Sequence, residues 1–179
     1  FSPGSLQGSA GHTISLFSFS KSYGLASWRV GYMVAPRHLL SALEKIQDTI
    51  LICPPVVSQV AALGALRVGS AYCRKFIADI AQVRRLCLDR LRDLEHHCQM
   101  PPAKGAFYLL LHLETDLPAM EVVERLIRQY QVAVIPGTAF GLHAGCYIRI
   151  AYGALQQDTA ATGMERLVSR SGEHTSELQ

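Results

Sequence analysis

Ser18-Phe19-Ser20-Lys21-Ser22-Tyr23-Gly24-Leu25-Ala26-Ser27-Trp28-Arg29-Val30-Gly31 is the stretch on which the reading of this 179-residue chain turns. It joins two short apolar runs of strand length, residues 13–19 and 30–35, the first read as a buried strand. Residues 20–27 read as a loop of small residues. A lone lysine thus sits where a buried strand gives way to a loop, with two serines just before it and an arginine eight positions later. A desolvated amine near positive charge has a lowered pKa, so such a lysine can act as a neutral nucleophile toward an aldehyde. Arg29 offers a planar fork of donors suited to a phosphate dianion. Ser18 and Ser20 can add hydroxyl donors to the same oxygens. An amine nucleophile beside a phosphate cradle is what holding pyridoxal phosphate requires. The plainer reading of a bare Ser-x-Ser-Lys is a surface lysine in a turn, with the arginine paired to some acid.

Outward from this stretch, strands and helices alternate. Pro36 starts a helical pattern with Leu39, Leu40, Leu43, Ile46 and Ile50 on one face, and Cys53-Pro54-Pro55 breaks it. An Ala-rich helix over residues 58–67 ends at Gly69. The clearest helix covers residues 72–97, where Phe76, Ile80, Val83, Cys87, Leu91 and Leu94 line one stripe until Met100-Pro101-Pro102 stops it. Then come a strand at 106–113 and a helix at 118–130, with Asp116 near its N-cap and Met120, Val123, Leu126 and Ile127 inward. Strands at 132–135 and 146–151 and a helix at 157–168 complete the pattern. The order predicts an α/β fold with helices on one face of a small sheet. The best domain boundary is a weak composition shift near Ser70. Arg149 stands mid-strand among apolar residues, where an unpaired charge is expensive. The plainer reading is a buried arginine paired with an internal acid.

A formal net charge of +3, with Arg84, Arg85, Arg90 and Arg92 scattered among acids, gives no case for nucleic acid. No apolar run has the length of a membrane span, and no signal peptide opens the chain. The five cysteines are odd in number and form no CxxC pair, which reads as reduced thiols in a cytoplasmic protein. His96-His97-Cys98 is a weak metal signal, because adjacent histidines on a helix diverge, and no metal is expected. The chain opens on a loop-type sequence without Met, and residues 170–179 (RSGEHTSELQ) read as a non-native tail. Both ends read as those of a fragment.

The 18–31 string resembles the lysine motif of class I/II aminotransferases, members of the fold-type-I pyridoxal-phosphate family. Val134-Ile135-Pro136-Gly137-Thr138-Ala139-Phe140-Gly141, followed by Tyr147-Ile148-Arg149-Ile150-Ala151, resembles the signature of that family's small domain. Gly105-Ala106-Phe107-Tyr108 is a third, structural echo, and the matches together span residues 13–167. The resemblance implies that Lys21 forms the Schiff base with pyridoxal 5'-phosphate and that Ser18, Ser20 and Arg29 bind its phosphate. It assigns Arg149 to the substrate α-carboxylate. It divides the chain into the C-terminal part of the large cofactor-binding domain (residues 1–71) and a small C-terminal domain (72–169). It further implies amino-group transfer between an amino acid and a 2-oxo acid, and a homodimeric full-length protein with no nucleic-acid or membrane partner. Relatives place an Asp against the pyridine nitrogen, a Tyr and an Asn near the ring oxygen, and a glycine-rich phosphate turn in the preceding half. The fragment alone is therefore expected neither to fold stably nor to transaminate. Ser27 departs from the Gly, Asn or Ala of many relatives but remains small. Asp48 stands nearest the position where the aspartate-specific branch has a carboxylate-reading Arg, which weakens a strict aspartate reading. A β-lyase, a cyclopropane-forming synthase and a transcription regulator with an aminotransferase-like domain are the competing readings.

Overall fold

The computed structural model describes residues 2–94 and 96–168, so the tail expected at 170–179 lies outside the described residues. The fold is α/β. The chain divides into two compact units, Phe1–Lys75 and Phe76–Gln179, and the division falls inside helix α4 (Ser70–Leu91). Among the described residues no single helix is long and apolar enough to cross a membrane.

In the first unit β1 (Ser15–Ser18) and β2 (Gly31–Val34) pair antiparallel, with Phe17 opposite Tyr32 and Ser18 opposite Gly31. These strands are not buried within the unit: Leu16, Phe17, Tyr32, Met33 and Val34 are exposed. The small core of Phe19, Val30 and Ala62 lies where the strands are connected, not beneath their length. Residues 20–27 are likewise not a plain loop. They hold a one-turn helix, α1 (Phe19–Ser22), and a 3-10 turn at Ala26–Trp28. The Ser18 side chain accepts a bond from the Ser20 N–H, which caps α1 and turns the strand into a helix.

Helix α2 (Leu40–Ile50) follows a 3-10 turn at Arg37–Leu39, and none of its predicted apolar face is buried. Its end is set before the prolines, by Ile52 in the left-handed region at φ 65, whose N–H bonds the Gln47 carbonyl. Helix α3 (Val56–Val68) starts from Pro55 and ends, as expected, at Gly69.

In the second unit β3 (Cys98–Gln99), β4 (Tyr108–Leu113), β6 (Cys146–Ala151) and β5 (Ile135–Pro136) form an antiparallel sheet in the order β3-β4-β6-β5. Leu109, Leu111, Ile148 and Ile150 face the core, which Val83, Cys87 and Leu91 of α4, Val123 of α5 (Ala119–Tyr130) and Ala160, Met164 and Leu167 of α6 (Gln157–Val168) complete. Strand alternation sends Tyr108, Leu110, Tyr147 and Arg149 to the other face.

Several boundaries move. The long helix ends at Leu91 and a 3-10 turn at Arg92–Leu94, so His96 and His97 lie in a turn, not on a helix, and β3 follows. Phe76 is exposed at the start of the stripe. Asp116 caps nothing; Pro118 holds the N-cap of α5 with no side-chain bond. Met120 and Ile127 are exposed, because the buried stripe is Ala119, Val123 and the partly buried Leu126. Residues 132–134 precede a strand of two residues only.

Candidate active site

The connection between β1 and β2 closes on itself. Ser18 pairs with Gly31, and the Phe19 N–H donates to the Val30 carbonyl at 3.4 Å. Lys21 follows that pair by three residues and Arg29 precedes it by two, so both rise from one end of the ladder. The approach of the strands there needs glycine: a Cβ on Gly31 would lie 2.5 Å from the Phe17 carbonyl oxygen. Two longer-range bonds steady the connection. The buried Ser58 of α3 donates its hydroxyl to the Trp28 carbonyl at 2.9 Å, and the Cys73 thiol donates to the Ser22 carbonyl at 3.1 Å. Tyr23 stacks on Tyr72 with centroids 6.1 Å apart, and burial, aided by Cys73, pushes the Tyr23 phenol above its ordinary range.

Each predicted cofactor residue can be placed on this frame. Lys21 is exposed, against the expectation of a desolvated amine. Phe19 anchors α1 in the core, and two residues along a helix is about 200° of rotation, so Lys21 faces away from that core. The Ser18 oxygen accepts from the Ser20 N–H at 3.1 Å, which leaves its own O–H to donate elsewhere. Ser20 is half-buried beside it. Arg29 is exposed and left-handed at φ 50, and its Nη1 donates to the Ala26 carbonyl at 2.8 Å. That bond uses one of the five guanidinium donors and fixes the head, so the rest of the fork remains for an anion. A primary amine, two hydroxyls and an anchored guanidinium are a donor set that fits a phosphorylated aldehyde.

Arg149 belongs to the second unit, on the sheet face away from the core. It pairs with Leu110 on one side and Ile135 on the other. No carboxylate among the described residues neutralises it. Its Cζ lies 5.0 Å from the Tyr108 ring centroid and 4.5 Å from that of Phe140, and its Nε is buried without a hydrogen-bond partner. Phe140 closes a 3-10 turn at Gly137–Phe140, which begins where a Cβ on Gly137 would come within 2.5 Å of the Tyr147 Cβ. The sequence reading missed the two rings as neighbours of Arg149, although both lie in motifs it singled out. Ser58 and Cys73 were also missed, and no local signal marks them. Asp48 is exposed on α2.

Residues 5–167 match the family aminotransferase class I and II. The aromatic aminotransferase ISS1 of Arabidopsis thaliana is 34% identical over 160 residues, covering 87% of this chain and 40% of that protein. The aspartate aminotransferase of Pyrococcus abyssi is 31% identical over 170 residues, covering 93% and 43%. The crystal structure of the aromatic aminotransferase from Pyrococcus horikoshii superposes with a TM-score of 0.86 at 29% identity, covering 97% of this chain and 47% of that one. The chain therefore spans less than half the length of these relatives. With the lysine and arginine motifs on one framed connection and the match running through almost the whole described chain, this protein belongs to the class I and II aminotransferases.

Proposed function

We propose that the full-length protein moves an amino group between an amino acid and a 2-oxo acid, with pyridoxal phosphate held by Lys21, Ser18, Ser20 and Arg29. The observation that carries this reading is the closed β1–β2 connection, which brings the amine and the guanidinium to one end of a ladder. When bound, the cofactor's conjugated ring supplies a sink for the electron pair left by the breaking Cα–H bond. The protein's own residues do the rest. Arg29 and the two serine hydroxyls hold the phosphate. Lys21 Nζ would hold the cofactor through its aldehyde carbon and, as the amine nearest that carbon, would serve as the base and acid that moves the substrate Cα proton. Arg149 holds the α-carboxylate, so that the Cα–H bond is presented in one orientation.

The first unit is the C-terminal part of a large cofactor domain and the second a small domain. Substrates are neutral amino acids, aromatic amino acids or a broad range of both. Both aspartate and aromatic aminotransferases stand among the relatives, and where the aspartate-specific branch has a carboxylate-reading Arg this chain has the exposed Asp48, which cannot hold a second substrate carboxylate. A homodimeric assembly is supported by the exposed Ile50, Val56, Val57 and Val60, a set of the kind that partners cover. The five free thiols support a cytoplasmic location.

Borohydride treatment of the cofactor-loaded full-length protein, followed by peptide mapping, tests the reading. The cofactor is expected on Lys21 and absent in Lys21→Ala. Fixation to another lysine, or none, overturns it.

A further inference from the structure

We infer that Tyr108 and Phe140 are positioning residues that hold Arg149 as a carboxylate reader without occupying the groups it reads with. This rests on the proposed role of Arg149 and names what makes that role possible. A half-buried cation on a strand needs a partner. An acid would satisfy it, but would take the in-plane N–H groups that a substrate carboxylate must use. An aromatic ring satisfies it through its π face and leaves every N–H unspent. Arg149 has two such rings, 5.0 and 4.5 Å from its Cζ, and no carboxylate among the described residues.

The orphaned Nε shows that the polar side of the arrangement is incomplete within this chain. A buried donor without a partner is costly, so the head is held in place by something other than its own hydrogen bonds. The rings are suited to that work because they are fixed from the backbone. Tyr108 is the first residue of β4, paired with Ala151. Phe140 hangs from the turn that Gly137 seats against Tyr147. Neither ring belongs to the hydrophobic core: Tyr108 is 39% and Phe140 48% exposed. Tyr108 also meets Phe107 edge-on, with ring centroids 5.7 Å apart, and the contact that Tyr108 and Phe140 share is the one with Arg149.

The test compares two unreactive ligands, 3-phenylpropionate and its neutral isostere 3-phenylpropanamide, titrated calorimetrically into the cofactor-loaded full-length protein. Neither carries an amine, so binding is read without turnover. In Phe140→Leu and in Tyr108→Leu the carboxylate's Kd is expected to rise about tenfold, with the amide's unchanged. Tyr108→Phe and Phe140→Tyr keep a ring and should bind both ligands as the parent does. Phe140→Met keeps the bulk but not the π face, and is measured in place of Phe140→Leu if that variant does not fold. Arg149→Gln separates the two layers of the argument. If it leaves carboxylate affinity untouched, the reading of Arg149 fails. If it abolishes the preference for carboxylate while the ring deletions do not, the aromatic positioning alone fails. Equal losses for carboxylate and amide in the ring variants would mean general damage to the pocket and would also overturn it.

Discussion

Arg29 is the residue on which backbone and ligand demands meet. A non-glycine residue at φ 50 carries about 1–2 kcal/mol of steric cost. Such outliers persist where the surroundings fix them, and they cluster at ligand sites. Here the fixing bond is the side chain's own, from Nη1 to the Ala26 carbonyl. Arg29→Gly is therefore expected to preserve or raise the thermal stability of the full-length protein, because glycine accepts this conformation freely. The same change should raise the Kd for pyridoxal phosphate at least tenfold by removing the fork. Fluorescence titration beside a melting curve checks both halves. A variant that binds the cofactor as tightly as the parent would remove Arg29 from the phosphate site. Much of this was legible in the residues themselves, since Lys21, Arg29 and the two serines stand in one contiguous string. The left-handed backbone of Arg29 was not, because nothing marks an arginine for a position that glycine or asparagine would usually fill.

At the scale of elements, the ends were harder to read than the middles. Strand β6 and helix α6 match their predicted spans because alternation and helical spacing run uninterrupted through them. Helix α4 stops short of the prolines, and β3 is two residues long, too short for any period to register. Helix α2 is the instructive case. Pro54-Pro55 looks like the stop, yet the chain has already left the helix at Ile52, a β-branched residue forced to φ 65. Crowding at Cβ makes this position unfavourable for isoleucine. With Ile52 74% exposed, there is little packing to lose on replacing it. Ile52→Gly should stabilise the first unit by about 1 kcal/mol, read as a raised denaturation midpoint of the full-length protein. A loss of stability would mean that Ile52 is covered in the assembled protein, and would make it part of an interface. The same blindness to context explains β1 and β2. Their apolar composition predicts burial, but composition cannot say which chain segment covers them.

Over the molecule as a whole, the core of the second unit imposes a pH dependence of definite sign. Burial pushes the thiols of Cys87 and Cys146 above their ordinary range, and it does the same to the Tyr152 phenol against a smaller lowering by Arg84. The Tyr152 hydroxyl is also committed as a donor to the Ala106 carbonyl at 3.1 Å, which requires its proton. All three groups hold protons more tightly folded than unfolded. Their contribution is therefore complete below the unfolded pKa and lost as pH rises through the folded one. The loss should begin near pH ~8.5, where exposed thiols ionise, and steepen above about 10, where free phenols do. Urea midpoints of the full-length protein are expected to fall between pH 7 and 10. In the Cys87→Ala/Cys146→Ala double variant the fall between 8.5 and 10 should flatten, while the steeper loss above 10 remains with Tyr152. The exposed Cys53 supplies an internal control, since iodoacetamide should modify it in the native state and reach Cys87 only at the rate of unfolding. Midpoints that rose with pH through this window would mean the three groups are solvated, and the core described for the second unit would then be wrong.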